Sequence, residues 1–187
     1  MKKFILFTIL MFASRVSAQE PAIKMNFTPE SDKFVEATKQ YQEIWKAEGS
    51  KMIAAMEAVA GMKFPDREIS VIIFEGASSS GYKDKPMKLR ASYPEEVKKA
   101  TLIHELGHRL NVQLEKRPDN IDEHRILFLY LYEVWTKLYG RDFADRMVAV
   151  EKKRKGLYDY ESAWNWALAL TKDERAAKLR EIVKSNA

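Results

Sequence analysis

Apolar residues recur at helical spacing through the first long stretch of the chain. Phe34, Tyr41, Ile44, Trp45, Met52, Ile53, Met56 and Val59 fall on one face at steps of three, four and seven. Thr28-Pro29 offers a cap and a first helical position after a short polar lead, and Gly61 offers an end. The pattern predicts one long amphipathic helix, bent at Gly49-Ser50, whose methionine and aromatic stripe belongs to the core. The period then changes. Residues 69–74 form a short β-branched run bounded by Pro65-Asp66 and Gly76, which predicts a buried strand. Residues 77–81 read as a loop, and 87–93 alternate loosely, either as an exposed edge strand or as a loop ending in a helix cap.

Helical patterns dominate the rest. Pro94, followed by Glu95 and Glu96 in the first turn, starts a helix whose centre is uncharged at Thr101, Leu102, Ile103, Leu106, Gly107 and Leu110. A charged turn over 115–120 leads to a second apolar helix from about 121 to 139, closed by Gly140. Phe143, Met147, Val148 and Val150 mark another segment, and Tyr160, Trp164, Trp166, Leu168 and Leu170 the next. Thr171 with Glu174 fits a capping box for a last helix through Ile182. These elements predict a mostly helical α+β domain with a small N-terminal sheet and a C-terminal helical part.

Composition narrows the setting. Lys2 and Lys3 precede an apolar run over 4–13, and Val16-Ser17-Ala18 supplies small residues for cleavage, so residues 1–18 read as a secretory signal peptide. The run is too short to span a bilayer, which predicts an exported protein, periplasmic or extracellular, with no membrane anchor after cleavage. Of 187 residues, 19–187 then remain as one domain. With Cys 0 there is no disulfide framework, no thiol metal ligand and no lipid-bearing cysteine. The formal charge of +5 loses Lys2, Lys3 and Arg15 with the leader, and the remainder gives no argument for nucleic acid. Lys83, Lys85, Lys88 and Arg90 make one basic stretch, a solvated run or a preference for acidic substrates.

One segment describes a reaction. In His104-Glu105-Leu106-Gly107-His108 the two histidines stand four apart, so on a helix both imidazoles can reach one tetrahedral metal ion. Glu105 lies one step round the helix, placed to bond a metal-activated water without being a ligand. A catalytic site needs a third ligand. His124, near the start of the second helix, and the adjacent Glu123 both qualify, since the faces through each continue in apolar residues. The one that is not a ligand is then expected to hold an imidazole N–H, together with Asp122. Glu133 is a weaker candidate for that support and reads better as a buried acid bonded to a Tyr or Trp. Tyr158 and Tyr160 are candidate oxyanion donors, although core or surface roles suit them as well.

The run Thr101-Leu102-Ile103-His104-Glu105-Leu106-Gly107-His108 resembles the active-site helix of the zincin superfamily of metallopeptidases. The resemblance covers roughly residues 65–140 and implies that His104 and His108 ligate zinc while Glu105 is general base and proton shuttle. The metzincin branch would place a glycine at position 111 and a histidine at 114, where this chain has Asn111 and Leu114. The Glu-zincins carry Glu-x-x-x-Asp on the second helix, but Leu127 stands four residues after Glu123. The chain thus looks like a small secreted bacterial zincin of unassigned family. What this implies is a zinc-dependent peptidase acting on a peptide or protein substrate. The alternative is a non-catalytic binding or regulatory module of zincin shape with a structural metal, and a third reading is a metal-free helical domain with a coincidental motif.

Overall fold

A computed structural model describes residues 23–82, 85–156 and 158–186. The leader expected over 1–18 lies outside the described residues. The first element corrects the sequence reading. Lys24–Pro29 is not a polar lead but a strand, β1, with Met25 and Phe27 buried and Lys24 exposed. Thr28 belongs to the sheet, its hydroxyl donating to the Val71 carbonyl at 3.3 Å, so it caps no helix. A single turn of 3-10 helix at Asp32–Phe34 intervenes before α1, Val35–Ala60.

Helix α1 runs unbroken through Gly49-Ser50. A Cβ on the buried Gly49 would stand 2.7 Å from the Trp45 ring, so glycine there makes room for an indole. The helix stops at Gly61, whose φ of 69° suits a left-handed C-terminal cap.

Strands β2, Glu68–Phe74, and β3, Met87–Arg90, complete a parallel sheet of order β1-β2-β3. The register sets Met25 beside Ile69, Phe27 beside Val71, and Val71 beside Met87, which puts the buried side chains of all three strands on one face. The expected edge strand exists, but its outer edge is occupied. Lys88 exchanges both backbone bonds with Ser79, at 2.8 and 2.9 Å, and the Arg90 N–H donates to the Ser78 hydroxyl at 3.2 Å.

Five helices follow: α2 Glu95–Asn111, α3 Glu123–Tyr139, α4 Arg141–Lys152, α5 Tyr160–Ala169 and α6 Lys172–Ser185. The architecture is α+β and mostly helical, as the periodicities predict. Asp122 caps α3 by accepting from the Arg125 N–H, and Thr171 with Glu174 forms the capping box of α6. Helix α3 is the hub, packing on α1, α2, α4, α5 and α6, which explains why Ile126 to Leu131, Val134 and Trp135 are all buried. No helix among the described residues is long and apolar enough to cross a membrane.

Two contacts fix the motif helix in place. Any Cβ on Gly107 would run into Cδ1 of Leu127, so the glycine lets α2 and α3 approach closely. The buried Arg109 donates twice to Asp66, at 3.0 and 2.6 Å, and once to the Ser80 carbonyl at 3.1 Å. That bidentate pair ties the entrance of β2 and the loop over 77–81 to the turn carrying His108.

Candidate metal centre

His104 and His108 project from one face of α2, one turn apart, and their Nε2 atoms lie 3.1 Å from each other. The close approach at Gly107 brings the first turn of α3 alongside. His124 enters there, its ring centroid 4.6 Å from that of His108 and 5.6 Å from that of His104. Each of the three rings offers one ligand nitrogen, and these nitrogens all lie within 4.8 Å of one another. His104 and His108 are buried and His124 is half-buried.

The choice between His124 and Glu123 takes geometric form here. It is His124 that joins the imidazole pair. Glu123 points to the far side of His108, with Oε1 3.0 Å from Nδ1, and is also 3.6 Å from Arg117. Asp122 accepts from the Arg125 N–H and from the Tyr158 hydroxyl at 2.8 Å, and acts on His124 through its charge. Glu133 is engaged by α6, with Arg175 at 2.6 Å and Lys172 at 3.4 Å, so its partners are cations and not the Tyr or Trp expected. Of the basic stretch, Arg90 pairs with Glu75 at 3.0 Å and Lys88 lies over the Phe74 ring, while Lys83 is outside the described residues.

Sequence reasoning missed the partner of His104. Glu151, on α4, places Oε1 2.8 Å from His104 Nδ1, off the ideal line of the ring N–H, and both side chains are sealed from solvent. Its other oxygen accepts from Trp164 Nε1 at 2.9 Å. A signal for it existed. Phe143, Ala144, Met147, Val148 and Glu151 form the buried face of α4, so a carboxylate continues an apolar stripe.

The electrostatics suit cation binding. Burial, together with repulsion from any proton charge on the neighbouring His108 and His104 rings, pushes His124 down to about 3, so its ring is neutral with a free lone pair. Burial also opposes charge on His108, but the Glu123 hydrogen bond and the charges of Glu105, Glu123 and Glu151 outweigh it and hold that ring above the ordinary imidazole value. Burial would raise Glu151, yet the charges of His104 and Arg154 and the bonds from His104 and Trp164 draw it down to about 2.

Nδ1 of His104 and Nδ1 of His108 each face a carboxylate, and the two Nε2 atoms stand 3.1 Å apart, a contact that a shared proton or a bound cation satisfies. An all-nitrogen set of three imidazoles, two buried and one half-buried, fits a borderline transition metal such as zinc better than a hard, oxygen-seeking ion.

Around the cluster, the Tyr158 ring stacks on His124 with centroids 4.1 Å apart, and Tyr160 stands 5.0 Å from His124 and 6.2 Å from His104. The Arg154 guanidinium lies 5.6 Å from the Tyr160 ring centre. Glu105 is only 3 % exposed, and its charge acts on His108, Tyr160 and Arg154. A cavity of about 530 Å³ lined by Gln40, Glu43, Glu48, Tyr93, Glu95 and Lys99 opens between α1 and the start of α2 and contains none of the histidines. No protein-family model, curated protein or solved structure matches the chain.

Proposed function

We propose that this chain is an exported zinc-dependent peptidase of zincin type, with His104, His108 and His124 as metal ligands and Glu105 as general base. The observation that carries the reading is the convergence of three imidazoles from α2 and α3 beside a buried glutamate. Zinc held by these nitrogens would polarise a scissile carbonyl and make the attacking water more acidic. The chain's own residues do the rest. Glu105 follows His104 directly, and its carboxylate takes a proton from the attacking water and delivers it to the amine nitrogen as the C–N bond breaks. The Tyr160 ring stands near both His104 and His124, and the Tyr158 hydroxyl is already given to Asp122, which makes Tyr160 the candidate donor to the developing oxyanion. Substrate enters without strand addition at Lys88 and Arg90, because residues 78–79 already use that edge.

A second reading, a non-catalytic module of zincin shape with a structural metal, draws support from Tyr158, whose ring lies flat on His124 and whose hydroxyl is tied to Asp122. Elemental analysis and a fluorogenic peptide mixture separate the two. Wild type should carry one zinc and cleave, and Glu105→Gln should keep the zinc and lose cleavage. Zinc without cleavage in wild type favours the module, and cleavage surviving in Glu105→Gln sinks the peptidase mechanism.

A further inference from the structure

His104 and His108 are held by carboxylates of different character. Glu123, on the outer side of His108, has a side chain 41 % exposed and shares its charge with Arg117. Glu151 has a side chain only 2 % exposed and is enclosed by protein. Oε2 accepts the Trp164 N–H from α5. Oε1 stands 2.8 Å from His104 Nδ1, off the line of the ring N–H, and no other group hydrogen-bonds either atom; Arg154 stands 3.4 Å from Oε1. Arg154 also bonds the hydroxyl of Thr101, three residues before His104 on α2, at 3.1 Å. The end of α4 is therefore pinned to the same stretch of α2 at two points, one of them the imidazole.

We infer that Glu151 is a positioning residue that fixes His104 as the Nδ1–H tautomer, keeping its Nε2 lone pair directed at His108 and His124. The inference rests on the metal reading above for its purpose, but its chemistry concerns this chain alone. An ionised carboxylate offers only acceptors, so the proton between Glu151 and His104 sits on the ring nitrogen. An amide at this position has one acceptor for two donors. If its oxygen serves Trp164, its NH₂ faces His104 Nδ1 and demands a lone pair there, which moves the ring proton to Nε2, where a metal would bind. If its oxygen serves His104, the NH₂ faces the indole N–H, donor against donor, in a site closed to water.

Glu151→Gln tests this by two readouts on purified protein. Chelator competition measures zinc affinity, and long-range ¹H–¹⁵N correlation of the metal-free protein reports which nitrogen of His104 is protonated. The expected result is an Nδ1–H ring in wild type, a shift of the proton toward Nε2 in the variant, and a loss of zinc affinity of roughly 10- to 100-fold. An Nε2–H ring in wild type overturns the assignment. So does a variant within about threefold of wild-type affinity, or one that loses affinity with the proton still on Nδ1, since that loss is structural. Should the variant fail to fold, Trp164→Phe removes one donor and leaves the carboxylate. It should keep Nδ1–H, and an Nε2–H ring there overturns the inference. A wild type that takes up no zinc defeats the metal reading, while the wild-type tautomer still judges the role of Glu151.

Discussion

Gly107→Ala sets two effects of opposite sign against each other. Position 107 is mid-helix, where alanine is favoured over glycine by about 0.5–1 kcal/mol of backbone propensity. Packing opposes this. The added Cβ would overlap Cδ1 of Leu127, which is fully buried and so has no solvent to swing into. It would also come within 3.2 Å of the Tyr130 hydroxyl, which is itself engaged by the Gly107 carbonyl and Asn111. Overpacking of this kind costs roughly 1–3 kcal/mol, so the net expectation is a loss of about 1–2 kcal/mol. For a domain of this size that lowers Tm by roughly 3–6 °C. Urea and thermal denaturation of the metal-free protein measure it. Pushing α3 off α2 also separates His124 from His104 and His108, so zinc affinity should fall in the same variant. A Gly107→Ala protein as stable as wild type, or more stable, would show that propensity wins and refute the account of the α2–α3 contact.

Removing the third imidazole separates the two candidates at the start of α3: His124→Ala should abolish stoichiometric zinc, whereas Glu123→Gln should weaken binding by roughly 10- to 100-fold, and the reverse order in chelator titrations would exchange their roles. Asp66→Ala strands the buried Arg109, 5 % exposed, and should cost about 3 kcal/mol in urea unfolding; a change below about 0.5 kcal/mol would mean that water or Ser80 suffices for the guanidinium. In the metal-free protein, Glu151 is depressed from 4.5 to about 2. The stability it contributes is present above about pH 4.5 and lost as pH falls toward 2. Urea midpoints across that window should decline, and less steeply in Glu151→Gln; equal slopes in the two proteins would remove the basis for this assignment.

Much of the helical framework is legible in the sequence because its signals are local. Gly61 and Gly140 end helices, Thr171 and Glu174 form a box, and Pro94 caps α2 just ahead of Glu95 and Glu96. Strand β1 is harder to see: its alternation is brief, with only Asn26 between the buried Met25 and Phe27 before the exposed Thr28 and Pro29. Thr28-Pro29 misleads for a related reason, since a threonine that can cap a helix can also bond a neighbouring strand, and pairing with β2 decides. Glu133 and Glu151 show the same limit. Glu133 interrupts an apolar helix and Glu151 ends the buried stripe of a charged one, and only the packing of α6 against one and α2 against the other distinguishes an anchor for Arg175 from a partner for His104.

By itself the sequence determined two histidines and a glutamate in fixed relation, because residues four apart on one helix are related by the geometry of that helix alone. Their meeting with His124, and the carboxylates behind the rings, were decided by tertiary structure. Those contacts join α2 to the start of α3 and the end of α4, and they depend on how closely Gly107 lets two helices approach and on which face of α4 is buried. Spacing along a chain specifies neighbours within one element, whereas the relation between elements comes from packing.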